Sequence, residues 1–339
     1  MSDPRHHPSK DHNVRECVSC KRCFSPKQTL CRDCFIELVV SEGAPYVVKD
    51  RYTLLKLMHK SAATMLYEAD DATAQQTVAL KILRASALAD PRAVERLLVE
   101  AKLAARFRHP SVAGLLDFGT LNDASGYLVS ELAQGVALRE ELKRLGKIPA
   151  PQAIQLLGAL ADALDAAHLA GLIHRDLKPE SIILAADWMT ASDDVRPADA
   201  PPTSMLKIVA FSLARVAMGQ EFVPGTTRVM QSRGQLPLRP TYMSPEQFRG
   251  IETDLRTDIF SLGVIAYEML AGQPPINAKK FGDFGARMLA KPPVPLHVIN
   301  PLVNPLLESA ILRAMQKLPE RRQQRAREFK QEIEAAVKN

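Results

Sequence analysis

His174-Arg175-Asp176-Leu177-Lys178-Pro179-Glu180-Ser181 is the stretch from which the rest of the chain is read. It gathers charges of both signs around one leucine, directly after a run, 151–170, whose apolar content predicts a helix. Taken alone, Asp176 reads as a loop-capping carboxylate and the stretch as a charged surface loop. What surrounds it along the chain changes that reading.

The 339 residues suffice for one large or two ordinary domains plus a small module. Hydrophobic residues make up 46% and charged residues 24%, as in a soluble globular protein. The net charge is +6, and part of the excess gathers near the C-terminus in Arg313, Lys317, Arg321, Arg322, Arg325, Arg327 and Lys330. A solvated helix face is the first reading of that cluster, and a patch for nucleic acid or an acidic partner is the second. No stretch reaches the roughly 18 apolar residues of a membrane span. Residues 1–13 are polar and His-rich, lack the apolar core of a signal peptide, and read as a disordered tail. The expected location is cytoplasmic, with no membrane partner.

All five cysteines fall between Cys17 and Cys34, which does not fit a secreted disulfide framework. Cys17-Val-Ser-Cys20 and Cys31-Arg-Asp-Cys34 have the spacing of the two knuckles of a zinc ribbon, each giving two thiolates to one tetrahedral ion. The preferred ligand set is Cys17, Cys20, Cys31 and Cys34, with Phe24 packed under the intervening hairpin. Cys20 and Cys23 are also spaced as a knuckle, so Cys23 is an alternative ligand and one cysteine is spare in either register. A metal-free, redox-active cluster is the competing reading. The module is placed at 14–40, with 35–50 as its connector to the remainder of the chain.

From Arg51 the pattern changes. Arg51–Leu57, Thr77–Leu83 and Tyr127–Leu132 read as strands, with Gly135 ending the last. Pro91 opens a helix whose Val94, Leu97, Leu98 and Ala101 share a face. Helices are then predicted at 151–170, 257–272, 305–315 and 325–337. Strands first and helices later give an α+β class with a small β-rich lobe and a larger helical one.

Set in that frame, His174–Ser181 resembles the catalytic loop H-R-D-L-K-P-E-N of protein kinases, and residues 51 to about 335 resemble the bacterial (Hanks-type) serine/threonine kinase family nearly end to end. Val78-Ala79-Leu80-Lys81 resembles the V-A-I-K strand, Glu100 sits where the family's ion-pair Glu sits, and Glu131 to Ala133 resemble the hinge. Ser244-Pro245-Glu246 resembles A-P-E, Asp258–Gly263 the helix that anchors the catalytic loop, and Pro319–Arg322 the late P-x-x-R whose Arg pairs with the A-P-E Glu. The resemblance implies a bilobal protein-kinase-like fold, with one lobe at 51–133 and the other at 136–335. It implies ATP as nucleotide, held by Lys81, Glu100, Glu131, Ala133, Ala79 and Ile183. It implies Asp176 as proton acceptor, Lys178 as γ-phosphate contact and Arg175 as receiver of an activation-segment phosphate.

The departures concern one function. The family's D-F-G stands here as Ala210-Phe211-Ser212, and Ser181 replaces the Asn that holds the second Mg²⁺, so a Mg²⁺ cofactor is in doubt. The glycine-rich loop aligns with His59–Thr64, which has no glycine, and Arg239 replaces the Thr of G-T-P-x-Y. An insertion near 187–204 carries Asp193 and Asp194. The expectation is a pseudokinase that regulates or scaffolds a protein partner, with nucleotide or another anion bound without a divalent ion. An atypical active kinase on protein substrates is the second reading. A zinc-ribbon module recruiting nucleic acid or protein, with the kinase domain as cargo, is the third.

Overall fold

The computed structural model describes residues 12–85, 88, 91–121, 125–189, 205–211, 240–276, 285 and 292–338. Most of the tail, Asp193, Asp194, Ser212 and Arg239 lie outside them. The chain divides into two units, the first built from residues up to Arg106 with Gly114–Leu132, the second from Phe107–Ala113 with most of the chain after Ala133.

In the first unit, β1 (Asn13–Glu16) pairs antiparallel with β2 (Cys23–Phe24) and β3 (Val39–Pro45). The segment expected to be a connector therefore supplies a strand. Its partners, Arg15 and Glu16 against Val40 and Val39, are far back in the chain, so no local pattern announces it. A six-stranded antiparallel sheet comes next, in the order β4-β5-β6-β7-β9-β8: β4 (Val47–Val48), β5 (Tyr52–Lys60), β6 (Thr64–Asp71), β7 (Gln76–Leu83), β8 (Leu115–Thr120) and β9 (Gly126–Glu131). Alternate residues point to one face, so Met65, Tyr67 and Ala69 of β6 meet Val78, Leu80 and Ile82 of β7 in one core. Helix α1 (Pro91–Ala104) buries Leu97 and Ala101, two of the four positions expected on its apolar face.

The cysteine module is not a bead on a string. Val14, Cys23 and Ala44 lie in the same core as Leu54, Met65 and Tyr67. Leu57 N donates to Lys21 O at 2.8 Å and Leu54 N to Tyr46 O at 3.0 Å, while Arg22 bridges Lys56. The outer edge of β5, which an isolated sheet would leave unpaired, is thereby covered.

The second unit is helical: α2 (Leu138–Leu145), α3 (Ala150–Leu169), α4 (Pro245–Phe248), α5 (Arg256–Ala271), α6 (Leu296–Ile299), α7 (Pro305–Ala314) and α8 (Ala326–Lys338). Three short strands, β10 (Val136–Ala137), β11 (Ile182–Leu184) and β12 (Leu206–Ile208), form a small antiparallel sheet. Every residue of α5 from Thr257 to Ala271 is buried, which makes it the axis of the unit. Gly263 lets α7 close on it, since a Cβ there would lie 2.8 Å from the Ala314 Cβ. Gly135 has φ +135°, and a Cβ would sit 2.0 Å from Leu184 O, so the position requires glycine.

The basic cluster near the C-terminus dissolves into pairs. Arg313 pairs with Glu332, Arg325 with Asp165 at 2.6 Å and Lys330 with Asp162 at 2.5 Å, while Arg322 is fully buried. Of the seven residues only Arg313, Arg327 and Lys330 lie on the helices α7 and α8. Among the described residues no helix is long and apolar enough to cross a membrane.

Candidate functional site

The loop after α3 is hung on one buried carboxylate. Asp258, in the first turn of α5 and fully buried, accepts from His174 N at 2.7 Å, Arg175 N at 2.8 Å and His168 Nε2 at 2.8 Å. Burial alone would raise its pKa, but the bonds and charge of His168, with His174 and its backbone N–H, hold it below the usual carboxylate range. Arg175 is thereby held at φ 63°, in the left-handed region. Gln247 of α4 adds a bond from Nε2 to Arg175 O at 2.6 Å.

His174 is locked by chemistry at both nitrogens. Nε2 faces the Val209 carbonyl at 3.1 Å and Nδ1 faces the Asp176 N–H at 3.3 Å. A carbonyl only accepts and an amide N–H only donates, so the ring is neutral with its proton on Nε2. Burial pushes its pKa down, in agreement. Its edge meets the Phe211 ring, with centroids 4.9 Å apart.

Further along the loop come Asp176 and Lys178, ion-paired at 2.5 Å with side chains 46% and 30% exposed. A carboxylate and an ammonium at this position can accept a proton and attract an anion. Ser181 cannot do what an Asn would. Its hydroxyl donates to Lys178 O at 2.8 Å and accepts from Lys178 N at 3.1 Å, closing the turn Pro179–Ser181. Val209 N donates to Ser181 O at 2.9 Å, which brings Ala210 next to that turn. One neighbour thus offers a hydroxyl already engaged and the other a methyl. Ala210 has φ 65°, a conformation at home for Gly, Asn or Asp and costly for Ala. Half-buried Ile183 lies just beyond, on β11.

The first unit carries the other candidates. Lys81 and Ala79 lie on β7, opposite Leu66 and Glu68 of β6 and opposite Leu128 and Ser130 of β9. Glu100 is half-buried on α1. Glu131 ends β9, and its N–H donates to Gly114 O at 2.9 Å. Half-buried Ala133 is counted with the second unit. The tip of the β5–β6 hairpin, aligned with the glycine-rich loop, is tied by its own hydroxyls. Ser61 N donates to Thr64 O at 2.8 Å, Thr64 N donates to Ser61 Oγ at 3.0 Å, and the two hydroxyls meet at 3.0 Å. Two backbone N–H groups that could face a phosphate are already engaged.

The cysteines form two loops of the same construction. Cys17 N bonds Arg22 O at 3.0 Å and Lys21 N bonds Cys17 O at 2.9 Å; Cys31 N bonds Ile36 O at 2.9 Å and Phe35 N bonds Cys31 O at 3.0 Å. The residue after each second cysteine, Lys21 (φ 64°) or Phe35 (φ 55°), is left-handed. The sulfurs of Cys17, Cys20, Cys31 and Cys34 lie within 4.8 Å of one another, and those of Cys20 and Cys31 are 3.7 Å apart. Tetrahedral ligation at about 2.3 Å implies sulfur separations of about 3.8 Å, so the set fits a zinc ion. Leu38, with half-buried Phe24 and Ile36, packs against these cysteines. Burial would raise the Cys17 thiol, but the N–H groups of Cys20 and Ser19 and the neighbouring thiols bring it down to about 7. Cys23 lies apart, in the sheet core. Burial, then the charge of Glu16, pushes its thiol up to about 12. Cys23 is therefore not among the four clustered sulfurs.

Residues 55–305 match the protein kinase domain family. The chain belongs to the protein kinase family. Its kinase relatives include serine/threonine-protein kinase pkn3 of Myxococcus xanthus, 32% identical over 85% of this chain and 50% of the relative. They also include PknB of Mycobacterium leprae, 30% identical over 85% of this chain and 43% of the relative. The chain therefore spans about half the length of these kinases or less. The kinase domain of PknI from Mycobacterium tuberculosis shares the fold, with TM-score 0.62 at 23% identity over 86% of this chain and 98% of that one.

Two groups in this kinase domain escape motif reading. His168, the third donor to Asp258, lies at the end of α3 with no local signal. Arg139 of α2 forms a buried knot: Nε donates to Glu180 at 3.0 Å, Nη1 to Glu268 at 2.8 Å, and Nη2 to the Tyr242 hydroxyl, which donates in turn to Glu268. The knot ties the catalytic loop to α5 and to the A-P-E segment. By contrast the A-P-E pair was legible. Arg322 Nη1 and Nη2 reach both oxygens of Glu246 at 2.7 and 2.8 Å, and Thr257 Oγ1 adds a bond at 2.9 Å.

Proposed function

We propose that this member of the kinase family is a pseudokinase, a regulatory or scaffolding protein that acts through a protein partner and transfers phosphate poorly or not at all. The observation that carries the reading is the pair Ala210 and Ser181. The family uses a carboxylate and an amide there to hold Mg²⁺; this chain supplies a methyl and a hydroxyl engaged within its own turn. Metal neutralisation of a transferring phosphoryl group contributes several kcal/mol. Each ~1.4 kcal/mol is tenfold in rate, so losing both metal positions costs about 10³-fold or more.

The reading implies two ligands. Zinc on Cys17, Cys20, Cys31 and Cys34 would hold the module together, supplying the folding energy that so few residues cannot get from a core. Nucleotide would bind without a divalent ion, because the chain has alanine in place of the D-F-G carboxylate through which the family holds Mg²⁺. Thermal-shift titration with ATP plus EDTA against ATP plus Mg²⁺ tests this. The expected result is a shift with EDTA at least as large as with Mg²⁺. A shift seen only with Mg²⁺ overturns the metal-free reading, and no shift in either condition overturns nucleotide binding.

One observation favours a second reading, an atypical serine/threonine kinase acting on protein substrates. The scaffold that aims the loop is intact, from Asp258 through His174 to Asp176 and Lys178. Label transfer from radiolabelled ATP to a generic acceptor, measured beside Asp176→Asn, separates the readings. Equal counts in both proteins exclude catalysis.

A further inference from the structure

We propose that zinc loading of the four-cysteine site sets the order of the β5–β6 hairpin, so that the module is a zinc-operated control on the segment standing in the glycine-rich loop position. The proposal rests on the zinc reading above and goes beyond it, from a structural ion to a regulatory one.

The connection begins at a ligand. Lys21 follows Cys20 directly and is held left-handed by its loop, which turns its carbonyl onto Leu57 N at 2.8 Å. Arg22 then bridges Lys56. At this same place β5 slips twice in its register against β6, between Leu54 and Lys56 and between Leu57 and His59. The sheet holds β5 least regularly where the module holds it from the other side.

Further along, both strands of the hairpin are fastened to the module. Lys60, the last residue of β5, donates to Ser41 Oγ at 2.7 Å and reaches Glu16 Oε2 at 3.4 Å. Tyr67 of β6 donates its hydroxyl to Glu16 Oε1 at 2.6 Å. Tyr67 and Glu16 are only 0% and 7% exposed, so the bond between them is sheltered from water, whereas Lys60 reaches in from an exposed position to buried Ser41 and Glu16. Cys23, Val14 and Ala44 fill the core beneath Met65 and Tyr67. Around the cysteines the module's own apolar support is Leu38 with partly buried Phe24 and Ile36, too little to hold it without a metal. Releasing zinc therefore releases Lys21, Glu16 and Ser41 together, and the hairpin loses its outer edge and its tip anchor at once.

The test is amide hydrogen exchange on the full chain, with zinc content measured in the same samples. Peptides covering 52–71 report the hairpin and peptides covering 256–271 report the second unit. The expected result is one zinc per chain. A chelator should speed exchange in 52–71 by about tenfold or more with 256–271 unchanged. Lys60→Met, which leaves every cysteine in place, should speed exchange around the hairpin tip while zinc stays at one per chain. Chelated protein that has lost its zinc yet keeps 52–71 protected overturns the coupling and leaves the zinc reading standing. An equal rise in 256–271 also overturns it, because the effect is then global unfolding. A chain that retains no zinc, and in which Cys20→Ser changes nothing, overturns both.

Discussion

Ala210 stands where the family's D-F-G motif has its Asp. Its φ of 65° suits glycine or a short polar side chain, so the backbone keeps a shape for which its residue is a poor occupant. Ala210→Gly is expected to raise stability by about 0.5–1 kcal/mol in urea unfolding. The pair Ala210→Asp with Ser181→Asn is expected to create a Mg²⁺-dependent nucleotide shift absent from the parent, read by the same thermal titration. His174 sets a pH dependence whose sign is fixed by its neutral state. Its folded pKa lies below the unfolded value of about 6.5, so only the unfolded chain takes up a proton as pH falls through 6.5. Stability from this group is complete above that pH and declines below it, by at most ~1.4 kcal/mol per pH unit. Asp258, also depressed, adds a loss of the same sign below about pH 3.9. Urea unfolding at pH 7.5 and 5.5 checks this: His174→Leu should lower stability at both values and show the smaller difference between them.

At the scale of elements, the module's cysteines divide by position, four in one cluster and Cys23 in the sheet core. Cys20→Ser should lower zinc retention, because it removes one of the four clustered thiols. Cys23→Ser should keep one zinc per chain while costing about 1–3 kcal/mol, because a hydroxyl replaces a buried thiol in the sheet core. Zinc content and urea unfolding on the two variants distinguish them. The helices α1, α3, α5, α7 and α8 and strands β5, β7 and β9 were legible because their signals are local: apolar period, a leading proline, β-branched runs. β3 was not, because Gly43 and Pro45 read as a turn and its partners lie on β1. The same divide runs through the candidate site. Asp176, Lys178 and the Glu246–Arg322 pair carry motif signals. His168 and the Arg139 knot join residues scattered along the chain, where only packing reveals a partner. Which cysteine is spare was undecidable from spacing, since two registers satisfy the same rule and only the neighbouring sheet distinguishes them.

For the whole molecule, the Glu246–Arg322 pair joins α4 to the turn before α8 with Arg322 fully buried. Arg322→Met is expected to cost about 3–5 kcal/mol, because Glu246 is left charged in a buried site. Adding Glu246→Gln to Arg322→Met should recover much of that loss, which chemical unfolding of the three variants would show. The two units carry the family's groups on separate scaffolds, Lys81 and Glu100 on a sheet and helix, Asp176 and Lys178 on a loop hung from α5.

The lock between module and β5 also imposes an order in time. A ribosome delivers Cys17 to Cys34 before Tyr52 to Lys60, and the β1–β2 pairing and the bonds of the two cysteine loops are short in sequence. A nascent module that captures its ion first presents a finished template, the Lys21 carbonyl and the Glu16 carboxylate, to a strand still being made. Zinc supplied during synthesis should then raise the yield of soluble chain far more than the same zinc added afterwards.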